Sequence, residues 1–81
     1  MEKQEIHDWI ATTLHETFEI DLARITPQAR LYEDLDIDSI DAVDLMVQLK
    51  HHTGKRLQPE TFKTVRTIQD VVDAVYALYQ N

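Results

Sequence analysis

The apolar positions of this chain fall into helical registers. Over roughly residues 3 to 18, Ile6, Trp9, Ile10, Thr13, Leu14 and Phe18 recur at three- and four-residue spacing and form one apolar stripe. Glu2, Glu5 and Asp8 stand near the start of that segment, where a helix dipole favours negative charge. A second register predicts a helix from Asp38-Ser39 to about His52, with Ile40, Val43, Met46, Val47 and Leu49 facing inward. Asp38 is its expected cap, and Asp41, three residues on, completes a variant of the capping box. A last helix is expected to begin at Thr67, with Asp70 as capping partner. Ile68, Val71, Val72, Val75, Leu78 and Tyr79 supply its buried face.

The connections are punctuated by few breakers. Residues 19 to 37 read as a long loop, and loops of that length are uncommon without a functional reason. Thr26 before Pro27 predicts a short helical turn, with Thr as cap and Pro at the first helical position. Ile20, Leu22, Ile25, Leu31 and Leu35 are expected to tack the loop onto the core. Gly54 ends the second helix, and Leu57 leads into a short helical segment near Pro59 to Phe62. No period-two stretch of strand length competes. The expected fold is all-α: a bundle of three main helices plus one short helix, with a long loop between the first and second, in one domain over residues 1–81.

Composition narrows what such a bundle does. A domain of 81 residues buries only about 60% of its unfolded surface, which suits one modest core. Catalytic sites with several converging groups usually need a larger scaffold. Fifteen acids against eight Lys and Arg leave a net charge of -7. That balance repels nucleic-acid backbones and anionic lipids and attracts basic protein surfaces. There is no cysteine, so disulfides and thiolate metal sites are excluded. No apolar run approaches the roughly 20 residues of a membrane span. Met1 to Glu5 has no apolar signal-peptide region. The expectation is a cytoplasmic protein, monomeric when alone, with no nucleic-acid partner and no membrane insertion.

The chemistry concentrates in Leu35-Asp36-Ile37-Asp38-Ser39-Ile40-Asp41-Ala42-Val43-Asp44-Leu45. Ser39 falls at the first turn of a helix, where its hydroxyl points to solvent and unpaired N–H groups favour an anion. Residues 33 to 44 hold six acids and no Lys or Arg. Asp41 and Asp44, three apart, share one exposed helix face, and such charge raises encounter rates. This segment resembles the Asp-Ser-Leu signature of acyl carrier proteins and their acidic second helix. The helix order and chain length match as well, so the resemblance covers nearly the whole chain.

The resemblance implies a non-enzymatic carrier with 4'-phosphopantetheine, taken from coenzyme A, attached covalently to Ser39. It implies that Asp38 helps place Mg²⁺ while the arm is installed, with no resident metal and no catalytic residue. Ile40, Asp41, Asp44 and Lys50 are then expected to meet partners: a phosphopantetheinyl transferase, a ketosynthase, and acyl-activating and other synthase enzymes with basic docking patches. Val43, Met46, Leu49, Leu57, Val65, Ile68 and Val72 are expected to surround an acyl pocket between helices 2 and 4. Met46 repacks easily, which suits such a lining.

Other readings of the same residues are open. Asp38-Ser39 taken alone is a plain helix cap, and Asp41 and Asp44 a solvated face. Asp34, Asp36 and Asp38 match the first, third and fifth ligands of a calcium loop, but Ser39 replaces its glycine and Leu45 its final glutamate. Adjacent His51 and His52 do not share a helix face, and they read as a solvated helix end. Trp9 reads as core, and Tyr76 and Tyr79 as packing residues with wet hydroxyls. An acidic helical interaction module without a prosthetic group, or an aminoacyl or peptidyl carrier, would share these features.

Several positions depart from the primary carriers of fatty acid synthesis. Asp36 stands where the family often has Gly, so the local turn is expected to differ. Thr53 falls where an aromatic residue often closes the pocket. Residues 50 to 66 hold five Lys or Arg against one acid, Glu60, so the surface is acidic near Ser39 and basic beyond Lys50. A dedicated carrier for a type II fatty acid or polyketide-like (for example aryl polyene) pathway is the expectation.

Overall fold

Ile6, Ile10 and Leu14 form one fully buried row on the first helix, and Ile68, Val71, Val72 and Val75 form another on the last. Burying each such side chain is worth about 1.5–3 kcal/mol, so the two rows seal against each other. The computed structural model describes residues 2–80; residues 1 and 81 of the expected domain lie outside them. The elements are α1 (Lys3–Phe18), a 3₁₀ turn (Leu22–Arg24), α2 (Ser39–Thr53), α3 (Pro59–Thr64) and α4 (Ile68–Gln80). Among the described residues there is no strand, and a single isolated bridge pairs Arg30 with Thr67. The all-α architecture of three main helices and one short helix is as expected from the sequence.

The helix ends follow local chemistry. Glu2 and Glu5 form a reciprocal capping box at the start of α1. At α4, the Thr67 hydroxyl accepts from the Asp70 N–H at 3.2 Å. The Asp70 carboxylate accepts from the N–H groups of Arg66 at 3.0 Å and Thr67 at 3.2 Å. Those two N–H groups, Arg66 first, hold the Asp70 carboxyl below its ordinary range. α2 runs one residue past its expected end, to Thr53, where Gly54 takes φ +74° and its N–H donates to the Lys50 carbonyl at 2.8 Å. α3 continues two residues beyond Phe62, to Thr64.

The long loop is stitched rather than slack. The Leu31 N–H donates to the Arg66 carbonyl at 2.9 Å, the Ile68 N–H to Ala29 at 3.0 Å and the Gln69 N–H to Pro27 at 2.9 Å. Ile20, Ile25, Leu31 and Leu35 are buried as expected, and Ala29 and Ile37 join them. Leu22, expected in the core, is exposed. The helical turn also lies elsewhere than expected. It spans Leu22–Arg24, because the Asp21 carboxylate captures the Ala23 N–H at 3.0 Å. Thr26-Pro27 instead forms a non-helical turn, since the Pro27 carbonyl is drawn across to α4.

Trp9 is half-buried, and it also stacks on the His52 ring, with centroids 4.5 Å apart and planes 13° apart. The stack joins α1 to the last turn of α2, a role that neither side chain's sequence context announced.

Candidate functional site

The segment before Ser39 is held at three points. The Ile37 N–H donates to the Leu31 carbonyl at 3.0 Å, and Leu35 and Ile37 are both buried. The Arg24 guanidinium donates to the Asp34 carbonyl. The Asp34 carboxylate accepts from the Arg30 backbone N–H at 2.8 Å and from its Nε at 3.4 Å. These bonds, the backbone N–H foremost, hold the Asp34 carboxyl below its ordinary range. Between the two buried anchors, Asp36 takes φ +55°, the left-handed conformation that glycine adopts most freely and that Asp tolerates better than most residues. The turn therefore needs no glycine at this position.

Ser39 is exposed and is the first residue of α2. The Asp38 carboxylate caps the helix by accepting the Asp41 N–H at 2.8 Å. The reciprocal half of the expected capping box, from the Asp38 N–H to the Asp41 carboxylate, is not formed among the described residues. The N–H groups of Ser39 and Ile40 find no acceptor among the described residues. An exposed hydroxyl beside two unpaired donors at a positive helix end fits a phosphodiester. The acids that mimic a calcium loop are engaged elsewhere: Asp34 with Arg30, and Asp38 with the helix N-terminus.

α2 carries two apolar faces, and of the five residues the register placed inward the structure fully buries only Leu49. Ala42, Leu45 and Leu49 point into the core. Ile40, Val43 and Val47, expected inward, are 77%, 59% and 49% exposed, and Met46 is partly buried. Both stripes satisfy helical spacing, and packing against the rest of the bundle selects between them. Asp44 and Lys50 are exposed and Asp41 half-buried, all on the same helix.

The exposed stripe borders a groove of about 630 Å³. Val43, Met46, Val47 and Leu57 form its apolar wall, and Lys50, His51 and Arg56 its remaining rim. Of the residues expected around an acyl pocket, Val43, Met46 and Leu57 lie here. Leu49, Val65, Ile68 and Val72 do not; they belong to the buried core. Val47, His51 and Arg56 were not anticipated. The signal for the first two was helical spacing, eight and twelve residues on from Ser39. Arg56 lies outside the helix and had no such signal. Thr53 does not line the groove. Its hydroxyl lies 2.7 Å from the Leu49 carbonyl and 3.0 Å from that of Lys55, and accepts the Lys55 N–H at 3.1 Å.

A small helical bundle that offers an exposed serine at a helix start, with an apolar groove beside it, defines a carrier scaffold. Residues 8–75 match the family described as the phosphopantetheine attachment site. The chain is 53% identical to acyl carrier protein 2 of Ralstonia nicotianae over 78 residues, covering 96% of each. It is 33% identical to an acyl carrier protein of Myxococcus xanthus, over 90% of this chain and 92% of that one. Its fold superposes on the crystal structure of an acyl carrier protein from Thermotoga maritima with a TM-score of 0.85, at 24% identity, covering 99% and 93% of the two chains. The chain belongs to the acyl carrier protein family. Membership implies a covalently attached 4'-phosphopantetheine, a carrier role rather than catalysis, and dealings with a phosphopantetheinyl transferase and synthase enzymes. No helix among the described residues is long and apolar enough to cross a membrane.

Proposed function

We propose that Ser39 is the attachment point of the arm, and that the chain delivers acyl thioesters between cytoplasmic enzymes of a type II fatty acid or polyketide-like synthase. The observation that carries this is the exposed Ser39 hydroxyl at the capped start of α2, between the buried anchor Ile37 and the bare stripe of Ile40, Val43 and Val47. Attachment forms an ester between the Ser39 oxygen and the phosphate of the arm. The pyrophosphate bond of coenzyme A breaks, adenosine 3',5'-bisphosphate leaves, and the hydroxyl proton passes to the transferase. The arm supplies the thiol that carries the acyl group. This chain's own residues position the serine, leave N–H donors for the phosphate and keep the surroundings open.

Asp41 and Asp44 present negative charge to basic partner surfaces, Ile40 adds an apolar contact, and Lys50 marks where the charge reverses. Val43, Met46 and Leu57 offer the acyl chain an apolar rest. The test is intact mass spectrometry after incubation with coenzyme A, Mg²⁺ and a broad-specificity phosphopantetheinyl transferase. A gain of one phosphopantetheine mass on the wild type and none on Ser39→Ala is expected. No gain, or an equal gain on the variant, overturns the assignment.

A further inference from the structure

The groove along α2 differs in charge from the protein that holds it. The whole chain is at -7, yet among the described residues no acid lines the groove, and Lys50, His51 and Arg56 stand on its rim. Lys50 and Arg56 form no salt bridge among the described residues; the ion pairs observed there are Lys3–Asp73, Arg30–Glu33 and Arg30–Asp34. These two cations are uncommitted beside an apolar wall. A simple hydrocarbon would gain from Val43, Val47 and Leu57 and nothing from the rim, whose cations it would partly desolvate.

The placement of the rim along α2 is ordered. Val43 and Val47 follow Ser39 at four and eight residues, and Lys50 and His51 at eleven and twelve. One helix face thus runs from the serine through apolar surface to positive charge, and at about 1.5 Å per residue the charge lies roughly 17 Å along the axis from Ser39. A ligand tethered at Ser39 and folded back along this face meets apolar contact before it meets the cations.

We propose that the cargo of this carrier ends in an anionic group, a carboxylate, which Lys50 and Arg56 hold at the far end of the groove. This rests on the assignment of the arm to Ser39, and names the class of acyl chain the same surface selects. Lys50 and Arg56 act as specificity determinants: they favour an acyl chain with an ω-carboxylate over the methyl-ended chain of equal length. The ion pairs are partly exposed, so the preference is modest and weakens with salt.

The experiment loads the full chain with two eight-carbon cargoes, octanoyl and its ω-carboxylate counterpart, from their coenzyme A thioesters. Loading is verified by mass on the wild type and on the Lys50→Ala/Arg56→Ala double variant. Two quantities are read: the methyl NMR shifts of Val47 and Leu57, and the rate of thioester cleavage by hydroxylamine. The expected result is larger shifts and about threefold slower cleavage for the ω-carboxylate cargo on the wild type. Both differences should vanish in the double variant and shrink at high salt. Equal shifts and rates for the two cargoes, a preference for octanoyl, or a preference that survives in the double variant overturns the proposal. Absence of any mass gain overturns the Ser39 assignment and this proposal with it, whereas successful loading without a cargo preference overturns this proposal alone.

Discussion

The two apolar faces of α2 are built from the same kinds of residue and do opposite work. Ala42, Leu45 and Leu49 are sealed in the core, while Ile40, Val43 and Val47 stand in solvent a fraction of a turn away. The inner face holds the helix in place. The outer face adds little to folding, because its apolar surface is not removed from water, and it is left available to whatever Ser39 carries or meets. Exposed apolar residues in a row mark an interaction surface more often than a folding device.

The comparison is sharpest where the two faces are cut in turn. Leu45→Ala should lower stability by about 2–5 kcal/mol in urea titration, a large fraction of what an 81-residue domain has. Gly54→Ala places a side chain at φ +74° and should cost about 1 kcal/mol in the same titration, with Ser39 modified as before. Asp38→Ala removes the cap and should also cost about 1 kcal/mol, but it should slow modification of Ser39 as well, which separates it from Gly54→Ala.

A pH comparison addresses α4 rather than α2. The carboxyl of Asp70 is depressed in the folded chain, so its contribution is complete above the unfolded carboxylate value, near 4, and is lost as pH falls through the lower folded value. The Tm gap between wild type and Asp70→Asn should therefore be widest at neutral pH and close on acidification. The smallest effect belongs to the outer face: Val47→Ser should change stability by less than about 0.5 kcal/mol. If Val47→Ser destabilises as Leu45→Ala does, the two faces are not different in kind.

Much of the fold was legible along the chain because its signals are local. The stripe of α1, the Thr67-Asp70 box, Gly54 at the helix end and Asp38 before Ser39 each act within four residues, and each stands where the pattern put it. Elsewhere distant contacts or rival local bonds decide. Thr26-Pro27 is not helical because the Pro27 carbonyl is drawn to α4, while the Asp21 carboxylate sets the turn at Leu22–Arg24. Leu49, Val65, Ile68 and Val72 lie in the buried core rather than along the groove, and apolar composition is the same for a closed core and an open lining.

Ser39, its cap and the charge around it follow from sequence alone, since a helix start is specified by neighbours in the chain. Which face of α2 is buried does not, because two stripes both satisfy a 3.6-residue period and only the packing of distant elements breaks the tie. The groove beside Ser39, and the cations on its rim, exist because that tie was broken in favour of Ala42, Leu45 and Leu49.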